Sequence, residues 1–224
     1  MAGFTGTSPI VTDGLVFAVD AANYESYPGS GTTWTDLAGS NNGTLTNGPT
    51  FDSANGGSIV FDGTDDYVDT QLTSGATFTW SVWFNADSVG SSYQNIISIK
   101  SPNYMLMLLD GNSTNMGFWT QDGLGGGSLN MNSITTNTWF NAVFVREGNS
   151  ITNGYKTCLN GVFKGQANTG TWSSSDVVWL GGRDPLNINQ QYDGKISNVK
   201  IYNRPLSSQE VLQNYNSLKS RFGL

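Results

Sequence analysis

The sequence predicts an all-β protein: an antiparallel two-sheet sandwich finished by a single C-terminal helix. Three observations carry that expectation. Roughly a dozen short stretches of β-branched and aromatic residues recur at hairpin spacing, without the self-similarity that propeller blades require. The 224 residues include 28 Gly, 7 Trp and 11 Phe, but only 12% are charged and three are Glu, the reverse of what a helical bundle needs. Helical spacing of apolar residues occurs convincingly in one place, after Pro205.

Taken in order, residues 1–12 are small, polar and punctuated by Gly and Pro, and read as a flexible or partner-bound arm ahead of one domain spanning 13–224. Gly14 to Asp20 is a nearly continuous apolar run, suited to a strand covered on both faces. Ala21 to Asn55 is long, turn-rich and without periodicity, with Trp34 and Leu37 as apolar anchors; it reads as an ordered functional loop or one holding an ion. Ser58 to Asp62 and Tyr67 to Thr70 are short strands joined at the Asp62-Gly63 turn signal. From Phe78 the alternation is clear, with Phe78, Trp80, Val82 and Phe84 on one face and Thr79, Ser81, Trp83 and Asn85 on the other. Further strands follow at 95–100, 104–110, 116–121, 139–146, 155–159, 162–166 and 177–180, with Asn160-Gly161 as a two-residue hairpin turn.

The closing stretch runs from Tyr192 to Leu224. Ile196, Val199, Ile201 and Tyr202 form a strand that Pro205 stops, since Pro has no N–H for the ladder. A helix then spans 207–219, with Ser207 as N-cap, Glu210 three residues on, and Leu206 with Val211 as a hydrophobic staple. Val211, Leu212, Tyr215 and Leu218 give it one apolar face.

Composition also excludes function classes. A net charge of −7 with scattered Lys and Arg argues against nucleic acid and against anionic membrane surfaces, and no stretch approaches a membrane span. The single cysteine, Cys158, rules out an intramolecular disulfide and reads as a small buried hydrophobe. With no His, Ser-His and Cys-His catalysis and the usual zinc sites are excluded. The N-terminus has neither a basic region nor an apolar run, so no secretion signal is expected.

The segments GLVFAVDAANYESYPGSGTTWTDLAGSNNGTL, FDGTDDYVDT, FTWSVWFNADS, WFNAVFVREGN with KTCLNGVFKGQ, and YDGKISNVKIYNRPLSSQEVLQNYNSLKSRFGL, in this order and spacing, resemble the concanavalin A-like lectin/glucanase (laminin G-like) jelly-roll family from about Gly14 to the end. The resemblance implies a jelly roll in which Leu15 to Asp20 lies against Ile196 to Tyr202, with the helix capping one end of the sandwich and burying Val211, Leu212 and Tyr215. YPGSGTTW, NGPTF and the RFGL ending look like versions of the domain in tailed-phage virion proteins. That implies a structural subunit of a capsid or tail, located on the virion. Its expected partners are other virion proteins through the N-terminal arm, host cell-surface glycans, and further copies of itself.

Family enzymes are chiefly glycoside hydrolases and lyases, which need two carboxyls across a cleft. The Glu-x-Asp-x-Glu strand of the glucanase members is missing: Glu25, Glu147 and Glu210 fall in loops or the helix, and Asp65-Asp66 are neighbours that a strand would point to opposite faces. The reading is therefore non-enzymatic, with a stand-alone adhesin as the alternative and a hydrolase or lyase behind it. Exposed aromatics are the residues that stack on sugar faces, and Trp119, Trp172, Tyr93 and Tyr104 lie near loop-like segments. Trp80, Trp83, Trp139 and Trp179 fall within strands, at least half of them as core. Calcium is the expected cofactor, because Asp36 to Gly43 matches a family loop that holds it in some relatives; Asp20, Asp36, Asn42 and Asp193 are the candidate ligands. The competing assignment for these side chains is turn capping through their own backbone. Ser197 stands where the family often has Asp.

Overall fold

A computed structural model describes residues 9–89, 92–99, 105–111, 114–120, 127–148, 154–167, 177–182 and 190–224. In chain order the strands are β1 (Leu15–Asp20), β2 (Thr33–Trp34), β3 (Gly43–Thr46), β4 (Thr50–Asp52), β5 (Ser58–Asp62), β6 (Tyr67–Thr73), β7 (Phe78–Ala86), β8 (Gln94–Ile99), β9 (Met105–Leu109), β10 (Asn115–Thr120), β11 (Gly127–Ser133), β12 (Trp139–Arg146), β13 (Tyr155–Leu159), β14 (Val162–Ala167), β15 (Val177–Leu180) and β16 (Asp193–Tyr202). Helix α1 (Ser208–Leu218) and a 3₁₀ turn (Lys219–Phe222) follow.

These strands form two antiparallel sheets. Sheet A runs β14-β13-β12-β7-β16-β5-β4, with β1 also on β16; sheet B runs β11-β10-β9-β8-β15-β6-β3-β2. The ten-residue β16 is the seam, because one of its edges is shared. Asp193 to Ile196 pair with β5, and Asn198 to Tyr202 pair with β1, as the first-with-last expectation required. Between the sheets lie Phe17, Ile59, Trp80, Val82, Phe84 and Phe144 from sheet A and Val68, Ile97, Met107, Phe118 and Leu180 from sheet B.

Sheet A is buried on its outer face as well, and this corrects the expected place of the helix. Alternation along β7 and β12 puts Trp83, Val143 and Val145 on the side away from the core. Helix α1 and the 3₁₀ turn cover that side as a third layer, instead of capping an end. Leu206 and Val211, the staple pair, pack with Tyr202, Val143, Val145 and Cys158. Trp83 stacks on Tyr215 (centroids 5.6 Å apart) and on Phe222 (4.3 Å). Leu212, expected to be buried, is 45% exposed, since the stripe facing the sheet is 211/214/215/218.

The cap of α1 matches expectation: Ser207 Oγ accepts from Glu210 N–H, Glu210 Oε2 accepts from Ser207 N–H, and Arg204 grips Glu210 with two nitrogens. Residues 9–12, assigned to the flexible arm, are instead fastened to α1. Val11 N–H donates to Asn214 Oδ1, Gln213 donates to the Pro9 carbonyl, and Tyr202 donates to the Val11 carbonyl. The rest of that arm, 1–8, lies outside the described residues.

Three local expectations also change. The 21–55 segment contains β2, β3 and β4, whose two to four residues are too short to show alternation. Asp62-Gly63 does not close a hairpin, because β5 belongs to sheet A and β6 to sheet B; the turn carries the chain between sheets. Residues 127–133 form β11, a strand missing from the expected set. Asn160-Gly161 is the predicted hairpin turn, with φ of 51° and 74°. Among the described residues, no helix is long and apolar enough to cross a membrane.

Candidate functional site

No helix covers the outer face of sheet B among the described residues, and register determines what that face presents. Cross-strand partners in register share a face. Trp119 on β10 and Ser98 on β8 are both partners of residue 106; Ser98 is opposite Trp179, Trp179 opposite Asp69, and Asp69 opposite Thr44. The alternation agrees, since Phe118, Val178, Leu180 and Val68 point into the core. Trp119 and Trp179 are three strand spacings apart, about 14 Å.

Tyr67 lies nearly parallel to Trp179, with centroids 4.8 Å apart and an interplanar angle of 11°. The chain leaving β15 bends close against this pair: Ser98 Oγ donates to the Gly182 carbonyl at 2.6 Å. A side chain at position 182 would collide with Gln191 Oε1 and the Tyr67 Cβ, so glycine is required there. Gln94 and Asn95 fasten the returning segment: Gln94 Oε1 accepts from Asp193 N–H, and Asn95 Nδ2 donates to the Gln190 carbonyl.

Next to Asp69 the β6–β15 ladder is interrupted. Val177 pairs with Thr73 but Trp179 pairs with Asp69, so β6 carries extra residues as a bulge. Thr70 stabilises it from the buried side, its hydroxyl donating to the Val178 carbonyl and accepting from Leu72 N–H. Asp69 Oδ1 accepts from Gln71 N–H. Gln71 is turned out to solvent at φ 55°.

The aromatics singled out in the sequence separate. Trp119 lies in this row and is half-buried. Tyr93 is 49% exposed, but it precedes β8 beside Gly111, five residues before Ser98 and thus at the other end of the sheet. Tyr104 and Trp172 lie outside the described residues. Trp179, read as a strand residue, is one and is 5% exposed, whereas the sequence did not single out Tyr67, Asp69 and Gln71. The signal for the last three was the alternation in Tyr67 to Thr73, where Val68, Thr70 and Leu72 turn inward.

The four candidate calcium ligands do not form one site. Asp36 is buried, and its carboxylate accepts backbone N–H groups from Ala18, Ala38 and Asn41, while Asn42 Oδ1 accepts from Asp36 N–H. Asp20 pairs with Arg221 at 2.7 Å. Asp193 accepts from Ser88 and begins β16, five residues before Asp20's partner Asn198. The turn-capping role therefore accounts for Asp36 and Asn42. A different oxygen cluster lies at the sheet crossover, where carboxylate oxygens of Asp62, Asp65 and Asp66 come within 4.8 Å of one another. Burial pushes the Asp66 carboxyl up to about 6, with the Asp62 and Asp65 charges adding to the rise and the hydrogen bond from Asp62 N–H opposing it.

Comparison with known proteins agrees with this architecture. The family model described as concanavalin A-like lectin/glucanases superfamily matches residues 62–212. No curated protein matches by sequence. Similar solved structures include domain 4 of an extracellular GH43 arabinanase from Geobacillus stearothermophilus in complex with arabinotriose (TM-score 0.69, 17% identity, covering 90% of this chain and 98% of that one). Trypanosoma rangeli sialidase, in complex with sialic acid, gives a TM-score of 0.71 at 13% identity, over 97% of this chain and 36% of its own. The binding domain of Paraclostridial Mosquitocidal Protein 1 gives 0.72 at 15% identity, over 92% and 52%. The chain thus spans about a third of the sialidase and half of the mosquitocidal structure.

Proposed function

The chain belongs to the concanavalin A-like lectin/glucanase superfamily, and from that premise we propose that it is a non-catalytic glycan-recognition domain whose binding surface is the outer face of sheet B. The observation that carries the reading is the row from Trp119 to Asp69. The half-buried rings of Trp119 and of Tyr67, which is backed by the buried Trp179, supply apolar platforms for sugar rings, and Asp69 supplies hydrogen-bond acceptors between strands whose spacing is fixed. The arabinotriose on one structural neighbour and the description of another as a binding domain support it. Affinity electrophoresis through polysaccharide-containing gels tests it. Trp119→Ala is expected to weaken retardation about tenfold, the effect of losing one aromatic stack. Its melting temperature should stay near that of the parent, because Trp119 is not in the core.

The proposal extends to place. The wording of YPGSGTTW and NGPTF supports a virion subunit that presents this face to host glycans, with other virion proteins as partners. Purified particles lacking the protein would remove that part while leaving recognition intact.

The crossover carboxylates favour two secondary readings. Asp62, Asp65 and Asp66 are an all-oxygen set of the kind calcium takes, and their closeness is also that of paired carboxyls in glycoside hydrolysis. Asp65→Asn separates the two: loss of an EDTA-sensitive rise in melting temperature supports calcium, and loss of reducing-sugar release supports hydrolysis.

A further inference from the structure

Among the described residues, five that are not glycine have positive φ, and four of them are Asn. Asn tolerates this backbone region because its short amide bonds locally; a longer side chain gains nothing from it. Gln71 is the fifth, and it sits in the β6 bulge beside Asp69 and the Tyr67–Trp179 pair. The bulge itself does not need glutamine. Its hydrogen bonds come from Thr70 and from the Asp69 carboxylate to the backbone N–H of residue 71, which any residue supplies. The glutamine side chain is therefore unexplained by the local fold, while it stands exposed two residues along β6 from Asp69. Strained non-glycine residues that the surrounding structure over-determines concentrate at binding sites.

The charge of the face supplies the ligand class. The eight strands of sheet B contain no Lys or Arg, and Asp69 is their one charged residue. A single fixed carboxylate disfavours uronates and sialates, which need cationic partners. It suits the hydroxyls of a neutral sugar, to which Asp69 accepts hydrogen bonds and the Gln71 amide both donates and accepts them. Resting on the recognition reading above, we propose that this face takes a neutral polysaccharide and that Gln71 is a specificity-determining residue, held in a left-handed conformation to contact the sugar chain that runs over Tyr67 and Asp69.

The test measures stability and binding together. Soluble neutral polysaccharides (arabinan, xylan, mannan, β-glucan) and acidic ones (polygalacturonate, polysialic acid) serve as probes for the full chain and for Gln71→Gly, Gln71→Asn and Trp119→Ala. Glycine and asparagine fit the positive φ, so both Gln71 variants should melt at or above the parent temperature. Affinity for the retarding neutral polysaccharide should nevertheless fall about tenfold in each, the effect of one lost polar contact to the sugar. Undiminished binding by both Gln71 variants, with Trp119→Ala impaired, would overturn the role of Gln71 and leave recognition standing. Retardation by the acidic polymers alone would overturn the neutral class. Failure of every probe to retard the parent chain would overturn the recognition reading itself, and this inference with it.

Discussion

At the scale of single residues, Lys200 shows how the outer face of sheet A is held. It is 5% exposed on β16, and burial lowers its ammonium to about 8, with the Arg221 charge adding to the shift and the Asp20 carboxylate opposing it. Below about 8 the folded state keeps a charge that the unfolded chain would solvate, so stability rises as pH climbs from there toward the ordinary value of 10.5. Lys200→Met should raise the melting temperature at pH 7, and its advantage should shrink as pH approaches 10.5. Calorimetry of both proteins across that range measures it. The sequence revealed which way a residue faces where alternation was unbroken, as at Trp80 and Trp83. It could not reveal that Asp36 would have its carboxylate filled by three N–H groups, because one of them comes from Ala18, eighteen residues away.

At the scale of elements, the start of α1 was written locally and could be read locally. Ser207, Glu210, Leu206 and Val211 lie within one turn, and all take the roles their spacing assigned. Arg204 adds a two-pronged contact that holds the Glu210 carboxyl down to about 2, aided by the Ser207 N–H. The stability this contributes is fully present above the ordinary value of 4.5 and is lost as pH falls toward 2. Glu210→Gln, which preserves the cap but not the ion pair, should therefore be less stable than the parent at pH 7 and converge with it near pH 2, as followed by helix ellipticity during melting. Which surface the helix covers was not legible. Trp83, Val143 and Val145 lie within strands on the side away from the core, and only the tertiary arrangement makes them a second buried layer. β2, β3 and β4 escaped notice for a related reason, since strands of two to four residues are defined by their partners.

At the scale of the whole molecule, the C-terminal layer is part of the fold's stability. Phe222 is 7% exposed between Trp83 and Trp139, and Arg221 bonds the Asn55 and Gly57 carbonyls as well as Asp20. Phe222→Ala should cost about 3 kcal/mol, the scale of an emptied aromatic site, and shift tryptophan emission to the red as Trp83 and Trp139 meet water. Denaturant unfolding followed by fluorescence reads both effects. Domain closure was legible through the family resemblance, which implied the pairing of the first and last strands that β1 and β16 make. The proposed binding face was only partly so, since its row crosses β10, β9, β8, β15 and β6, and β15 and β6 are far from the others in sequence.

Residues 9–11 lie along α1, and α1 lies on sheet A, so both ends of the described chain lie on the side opposite the Trp119–Asp69 row. A support attached at either terminus would hold the molecule with that row pointing outward. Tension between the two termini would load the short path through Val11, Asn214 and the β1–β16 pairing, while sheet B stayed out of the line of force.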